Sequence, residues 1–242
     1  MKKIIISFVL LSFCFVLSSC KERTLDDIMK DGKIIVATNA EFPPFEYLDG
    51  DTITGFDIDL IKLYAKYLGV DIEINNIDFD GALLSVSSNK ADLVIAGVTK
   101  NEKREQSLSF SNGYFSASQV VIVKKNSNIS GTTIEEIRES LSQNNATIGA
   151  QAGTVGEYYA KGDSDWDFEI IPNTICQTYD NGALAIKALN NGQIDAVIID
   201  KLPAIELTKS YSELQILDTT LTEEEYAIGA VSYTHLTLPT IR

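Results

Sequence analysis

The sequence is poor in the residues on which many catalytic and metal sites depend. Its 242 residues include a single histidine, His235, which lies close to the end of the chain. Catalytic triads use a histidine as their base, and zinc sites commonly use several histidine ligands. We therefore expect neither kind of site, and we expect no bound metal and no cofactor.

Basic residues are also scarce. The chain carries 20 Lys and Arg against 34 Asp and Glu, a net charge of −14. Proteins that hold nucleic acid through its phosphates need the opposite balance, so we expect no nucleic-acid partner. The 45% hydrophobic and 22% charged content is that of a folded protein, and the length allows one large domain or two smaller ones.

The N-terminus has the form of a targeting segment. Lys2 and Lys3 precede an apolar run over residues 4–17, and Ser18 and Ser19 lead into Cys20. This order of charge, apolar run and small residues predicts a secretory signal peptide over residues 1–19. The segment around Cys20 also resembles a bacterial lipobox, which implies that Cys20 becomes the lipid-bearing N-terminus of an extracytoplasmic, membrane-anchored protein. A cleaved signal with a chance cysteine is the alternative.

Cysteines are too few for a disulfide framework. The chain has Cys14, Cys20 and Cys176, of which Cys14 leaves with the signal peptide and Cys20 is predicted to carry lipid. Cys176 then remains alone. We expect no disulfide within one mature chain.

Short apolar runs alternate with amphipathic stretches along the mature chain. Strands are predicted at 33–38, 71–77, 92–98, 146–150, 168–171 and 194–200. Helices are predicted at 57–68, 80–87, 133–141, 155–160, 181–189 and 203–208. Such alternation is typical of parallel sheets with helices on both faces. A weak echo of residues 82–95 at 185–198 predicts two α/β lobes of similar design, and strands at 114–125 and 225–230 are placed to connect them.

The carboxyl ends of predicted strands give the first candidate site. Ligands of open α/β sheets collect there, which selects residues 38–42, 97–104, 151–154 and Asp200. Among the four arginines of the mature chain, Arg104 alone follows a buried strand in this way. Its planar fork suits a carboxylate, and Asp200 suits an ammonium group. The alternatives are a surface arginine in a polar turn and an N-cap aspartate for the helix at 203–208.

A family resemblance is carried by four segments: 37–47, ATNAEFPPFEY; 55–60, GFDIDL; 92–104, DLVIAGVTKNEKR; and 110–114, FSNGY. They resemble the bacterial extracellular solute-binding proteins of polar amino-acid ABC importers, family 3. The resemblance extends over residues 24–230. It implies a two-lobed, periplasmic-binding-protein-like α/β fold, in which each lobe is a mainly parallel sheet flanked by helices and two crossing strands join the lobes. Lobe 1 would comprise 21–117 and 226–230, and lobe 2 would comprise 118–225.

The same resemblance implies a binding site in the cleft between the lobes. Thr99 and the turn from Gln151 to Thr154 would surround the ligand carboxylate with Arg104, and Asp200 would take the ammonium group. Gly97 would line the site at a strand end, and the rings of Phe42 and Phe79 would enclose the ligand side chain. By composition alone, a core role is favoured for each phenylalanine, and only the resemblance reverses this. Asn39 occupies a position where several relatives have an acid that selects basic side chains. Because Asn39 is neutral, a basic ligand is not specially favoured, although Glu41 nearby offers a carboxylate.

Two classes of function fit these features. The first is the substrate-binding component of an ABC importer, a monomer without enzymatic activity that captures a polar L-amino acid by lobe closure and delivers it to a membrane permease. The alternative is an exported enzyme on the same scaffold, such as an aromatic-acid dehydratase. The sequence offers no general acid or base for the cleft besides Asp200, which favours the first class.

Other acidic residues are expected to have ordinary roles, and the C-terminus departs from the family pattern. Asp57 is expected to be a helix-start residue, residues 223–225 a solvated turn, and Trp166 a partly exposed packing residue. Residues 231–242 are rich in threonine, have no helical pattern, and lack the helices with which relatives continue. We expect this tail to be non-native and the native C-terminus to be missing.

The lipobox predicts a simple change in location. Cys20→Ser removes the thiol that would carry the lipid, so the protein should move from the membrane fraction to the soluble fraction after expression in a bacterial host. Fractionation and mass spectrometry of the N-terminus measure this. A wild-type protein that is already soluble and begins elsewhere than residue 20 would contradict the lipoprotein interpretation.

Overall fold

The computed structural model of the protein describes residues 23–231. The predicted signal peptide, Cys20 and residues 232–242 lie outside the described residues. The helices are α1 Leu25–Asp31, α2 Phe56–Leu68, α3 Phe79–Ser87, α4 Glu102–Glu105, α5 Ile134–Gln143, α6 Val155–Lys161, α7 Gly182–Asn190 and α8 Lys201–Thr208. The strands are β1 Lys33–Thr38, β2 Glu41–Phe42, β3 Glu46–Asp49, β4 Thr52–Thr54, β5 Asp71–Asn76, β6 Leu93–Val94, β7 Ser109–Phe110, β8 Phe115–Ala117, β9 Gln119–Lys124, β10 Thr147–Gln151, β11 Ile175–Tyr179, β12 Ala196–Asp200, β13 Leu214–Ile216, β14 Glu224–Tyr226 and β15 Gly229–Ala230.

Two five-stranded sheets organise these elements. The first has the order β5-β1-β6-β15-β7 and the second the order β11-β10-β12-β9-β13. In each, three neighbouring strands are parallel and the other two run antiparallel to the strands beside them. We call the first sheet with α1–α4 the first lobe, and the second sheet with α5–α8 the second lobe. The predicted two-lobed α/β fold is confirmed, and the shared strand plan explains the echo in the sequence.

Two segments of the chain connect the sheets. β8 pairs antiparallel with β14, so that Phe115 lies opposite Tyr226, and neither strand belongs to either large sheet. The strand predicted at 114–125 is therefore interrupted at Ser118, where the chain leaves this ribbon and enters the second sheet as β9. The strand predicted at 225–230 is likewise divided into β14 and β15. The expected lobe boundaries, at 117/118 and 225/226, fall within these connecting segments.

Local sequence signals account for several helix ends. The side chain of Thr24 accepts a hydrogen bond from the N–H of Asp27, and Gly32 ends α1 in a left-handed conformation. α2 ends in the same way at Gly69 and turns Ile58, Ile61 and Ala65 inward, where they are buried. This spacing of apolar residues seats the helix on the first sheet.

Two predicted strands differ from the structure. The strand expected at 168–171 is wrong: the edge strand of the second sheet is β11, further along the chain. β11 alternates exposed and half-buried residues, so it lacks the apolar run that identifies a central strand. The run at 92–98 is buried as expected, but only Leu93 and Val94 pair as a strand.

Each lobe has its own hydrophobic core. In the first lobe Ile34, Val36 and Ile61 pack together, and Val121, Ile137 and Ile148 do so in the second. Val231, the last described residue, is buried in a cluster with Val94 of the first lobe. None of the helices between residues 23 and 231 has the length and apolar character needed to cross a bilayer.

Candidate functional site

The nine residues predicted to bind a ligand surround one cavity between the two lobes. The cavity is small, with a volume of about 20 Å³, and its lining atoms come from Asn39, Phe42, Glu46, Phe79, Ala96, Gly97, Thr99, Arg104, Gln151, Thr154, Val155 and Asp200. The first lobe contributes residues that follow β1, β5 and β6. The second lobe contributes the ends of β10 and β12. The site therefore forms where the carboxyl ends of parallel strands from two sheets face each other.

Arg104 connects the lobes at one side of the cavity. Its side chain is buried, with 8% of the residue exposed. Nη1 donates to the carbonyl oxygen of Thr99 at 2.7 Å, and Nη2 donates to that of Gly153 in the second lobe at 3.0 Å. Burial lowers the pKa of Arg104 to about 10, so the group still carries its charge at neutral pH. These two contacts use two of the five N–H donors of the guanidinium group, so others remain for a bound anion.

Gly153 is required where the lobes meet. Its φ of +72° lies in the left-handed region, and a Cβ built there would lie 1.7 Å from Oδ1 of Asp80 on α3. A side chain at this position would collide with the first lobe. The glycine therefore allows the approach that brings its carbonyl to Arg104.

Asp200 supplies a buried acid on the opposite lobe from Arg104. It stands at the N-cap position of α8, but its side chain makes no capping hydrogen bond. Instead, Oδ1 accepts a 2.5 Å hydrogen bond from the hydroxyl of Tyr226. Burial, with a contribution from the nearby Glu224 carboxylate, raises the pKa of Asp200 to about 7. A cation beside Asp200 would favour its ionised form.

Polar side chains close the cavity across the lobes. Nε2 of Gln151 donates to Oδ1 of Asn39 at 3.0 Å, and Asn39 in turn donates to the carbonyl of Ile77. The two threonine hydroxyls donate within the protein: that of Thr154 to the carbonyl of Gln151, and that of Thr99 to the Glu224 carboxylate. The two lobes are thus in direct contact around the cavity.

The two predicted aromatic residues are both buried and line the cavity. Phe42 packs beside Phe45, with ring centroids 6.0 Å apart. Gly97 has a φ of +53°, and a Cβ there would lie 2.8 Å from the Phe42 ring, so the glycine makes room for that ring. The ring of Phe79 lies 5.3 Å from the guanidinium carbon of Arg104.

Glu46 is the charged cavity residue that sequence analysis missed. It is fully buried and accepts no hydrogen bond from an N–H or O–H donor in the described part of the chain, but its carboxyl lies against that of Asp57, with which it shares a hydrogen bond when protonated. Burial, and then the neighbouring Asp57 carboxylate, raises the pKa of Glu46 well above its usual range. The signal that could have found it is strand register: Glu46 pairs directly with Phe42 in the β2–β3 hairpin, and paired residues share a face.

Asp57 and Glu224 have roles that sequence analysis did not predict. Asp57 lies in the first turn of α2 as expected, but it is fully buried. Its Oδ2 accepts hydrogen bonds from the N–H of Gly97 and the hydroxyl of Tyr114. The solvated turn expected at 223–225 is wrong for Glu224, which lies in β14 and accepts hydrogen bonds from Thr99 and Gln119.

Trp166 is partly exposed, as expected, and also lies at the rim of the cavity. Its ring centroid is 5.0 Å from the guanidinium carbon of Arg104. Within residues 23–231, no group of three or more histidine, cysteine, aspartate or glutamate side chains is arranged to hold a metal ion. The chemistry available in the cavity is therefore that of one cation, Arg104, and two acids, Glu46 and Asp200.

Known proteins resemble this chain in sequence and fold. The sequence profile of the bacterial extracellular solute-binding proteins, family 3, matches residues 34–185. The arginine-binding extracellular protein ArtP of Bacillus subtilis is 30% identical over 217 residues, which cover 89% of this chain and 79% of ArtP. The arginine-bound form of a truncated ArgBP from T. maritima superposes with a TM-score of 0.74 at 33% identity, covering 86% of this chain and 92% of the other. The structure of an ancestral arginine-binding protein bound to glutamine superposes with a TM-score of 0.72 at 33% identity. The match covers 84% of this chain and 85% of the ancestral protein.

The buried acids predict how stability depends on pH. Glu46 and Asp200 have higher pKa values when folded than their ordinary values of 4.5 and 3.8. The folded protein therefore binds more protons than the unfolded chain, and its free energy of unfolding falls as pH rises from about 4 to 7. Glu46→Gln removes one of these carboxyls. The difference in Tm between pH 5 and pH 7 should therefore be about 2–4 °C smaller in Glu46→Gln than in the wild type. This corresponds to roughly 1 kcal/mol in the free energy of unfolding for a protein of this size.

Thermal unfolding of the purified protein without added amino acids measures this effect. Glu135→Gln, at an exposed glutamate of α5, is the matched control and should leave the pH dependence unchanged. A Glu46→Gln variant with the same pH dependence as the wild type would show that Glu46 is ionised in the folded protein.

Proposed function

Because the chain belongs to the bacterial extracellular solute-binding proteins, family 3, we propose that it captures a free amino acid with a cationic side chain, arginine being the best fit. Amino-acid binding for an ABC importer is the function of its relatives, and the family is one of binding proteins and not of enzymes. The alternative of an exported dehydratase therefore has no support. The observation that carries the choice of ligand is the buried Glu46 carboxyl, which lines the same cavity as Arg104 and Asp200 and whose only neighbour within hydrogen-bonding reach in residues 23–231 is another acid, Asp57.

The two charges common to all free amino acids would be neutralised by one residue from each lobe. The carboxylate would bind Arg104, whose fork offers two parallel hydrogen bonds, and the ammonium group would bind Asp200. Removing either charge from water costs on the order of several kcal/mol unless a partner compensates for it. Because Arg104 and Asp200 line the cavity from different lobes, a ligand bound to both would favour closure. Thr99, Gly97, Gln151 and Thr154 would complete the surroundings of the carboxylate.

The charge of the cavity favours a cationic ligand. Its lining contains one basic side chain and two acidic ones. Arginine has a net charge of +1 and would leave the site neutral, with its guanidinium beside Glu46 and between the rings of Phe42 and Phe79. The neutral Asn39 does not exclude this, since Glu46 supplies the acid that Asn39 lacks. With Glu46 protonated, the same cavity suits a neutral amide such as glutamine, the second candidate ligand.

The protein would act outside the cytoplasm as a membrane-tethered monomer. The family name places its members outside the cell, and the segment before Cys20 supports a lipid anchor. From that position the closed protein would present its amino acid to an ABC permease of the cytoplasmic membrane.

The proposal is tested by screening the twenty amino acids by thermal shift, followed by calorimetry. Arginine should raise Tm the most, because at a hundredfold excess over Kd a ligand adds roughly 2.7 kcal/mol to stability. Arg104→Ala should weaken binding at least about a hundredfold, since the buried carboxylate loses its partner. Arg138→Ala is the control: Arg138 donates to the carbonyls of Glu169 and Ile170, outside the cavity. If no amino acid raises Tm, or if Arg104→Ala binds normally, the assignment fails.

Glu46 determines selectivity in this proposal. Glu46→Gln should weaken arginine binding about 10- to 100-fold, the range for losing a buried ionic partner, and change citrulline binding less than about threefold. Wild-type affinity for arginine should also rise from pH 5 to pH 8, because the ligand ammonium needs an ionised Asp200 and the guanidinium an ionised Glu46; Glu46→Gln should keep only the part of this rise that is due to Asp200. Glu41→Gln tests the neighbouring exposed acid and should have little effect. Equal losses for arginine and citrulline would show that Glu46 does not face the ligand side chain.

A further inference from the structure

A short acidic turn of the second lobe reaches the rim of the cavity. We call residues 163–168, which follow α6, the Trp166 turn. Its centre is a 3-10 helix, Ser164–Trp166, capped by the side chain of Asp163, which accepts a hydrogen bond from the N–H of Asp165. The N–H groups of Trp166 and Phe168 both donate to the carbonyl of Asp163. These bonds hold the turn in a defined shape.

The Trp166 ring is supported from within its own lobe. It stacks on Tyr158 of α6, with ring centroids 4.9 Å apart and an angle of 17° between the planes. Phe168 lies 6.3 Å away at 20°, and packs edge-on against Tyr159 at 5.1 Å. The indole is therefore oriented by neighbours that do not move relative to it when the lobes separate.

Two further contacts of the turn are with the first lobe. Trp166 lies 5.0 Å from the guanidinium carbon of Arg104, and the next residue back, Asp165, forms an ion pair with Lys103. Two consecutive residues of the turn thus meet two consecutive residues of α4. Because α4 and the turn belong to different lobes, both contacts require the lobes to be together.

We propose that Trp166 is a positioning residue that latches the closed state, by covering the Arg104 guanidinium from the second lobe and so slowing ligand release. This inference rests on the proposed function, in which Arg104 binds the ligand carboxylate. An indole over a guanidinium is attractive in itself, and it also shields the Arg104–carboxylate pair from water, which strengthens that pair. The contact forms only after the lobes meet, so it should change the rate of release and have little effect on the rate of association.

The test compares release of radiolabelled arginine from full-length wild type and variants. Trp166→Ala should raise koff about 5- to 30-fold, the range expected for a partly desolvated cation–π contact, with kon changed less than about threefold. Trp166→Phe keeps a ring and should stay within about threefold of wild-type koff. Lys103→Ala removes only an exposed ion pair, and should likewise change koff by less than about threefold.

The measured koff and the fraction of binding-competent protein distinguish a latch role of Trp166 from a role in folding alone. A structural loss would reduce the fraction of protein able to bind and leave koff of the remainder unchanged. As Trp166 is the sole tryptophan, its fluorescence gives a second readout, and saturating arginine should reduce quenching by acrylamide. Normal arginine binding with unchanged koff in Trp166→Ala, or quenching unaffected by arginine, would overturn the latch and leave the proposed function standing. Failure of the wild type to bind any amino acid would overturn both.

Discussion

The structure depends on the need to pair every charge that is enclosed between the two lobes. Arg104 is buried, and it reaches a carbonyl of each lobe while keeping further donors for an anion. Asp200 is buried on the other lobe, where its Oδ1 accepts a hydrogen bond from the Tyr226 hydroxyl. Burying either charged group without a partner carries a large desolvation penalty. In the proposed function, a zwitterion that bridges them would satisfy both, and this requirement would join ligand binding to lobe closure.

Acids outnumber bases around the cleft, and hydroxyl groups partly compensate for the excess. Tyr114 donates to Asp57, and Tyr226 donates to Asp200. Within residues 23–231 Glu46 receives no hydroxyl donor, and burial together with the adjoining Asp57 carboxyl raises its pKa. A proton or a ligand cation can neutralise this carboxyl. In the proposed function, stability, affinity and ligand selectivity would all depend on whether a proton or a ligand cation neutralises Glu46.

The connecting segments are tied to the cavity by the same kind of contact. Glu224 in β14 accepts hydrogen bonds from Thr99 of the first lobe and from Gln119 at the start of β9. Tyr226, two residues further on, reaches Asp200. The segments that join the lobes therefore contact both sides of the site, and a change in the relative position of the lobes alters the surroundings of both Thr99 and Asp200.

Much of this protein follows from its sequence alone. Apolar runs bounded by turn residues predicted β1 at its observed bounds, and apolar periodicity predicted a helix at 181–189, where α7 lies, because these patterns arise from short-range backbone and burial preferences. Strand ends and charge selected Arg104 and Asp200, which line the same cavity. The role of Glu46 depends on hairpin register, the burial of Asp57 on how α2 meets β6, and the contact of Trp166 with Arg104 on the approach of two lobes. Only the tertiary structure decided these, since each depends on groups far apart in the chain whose pairing has no local signal.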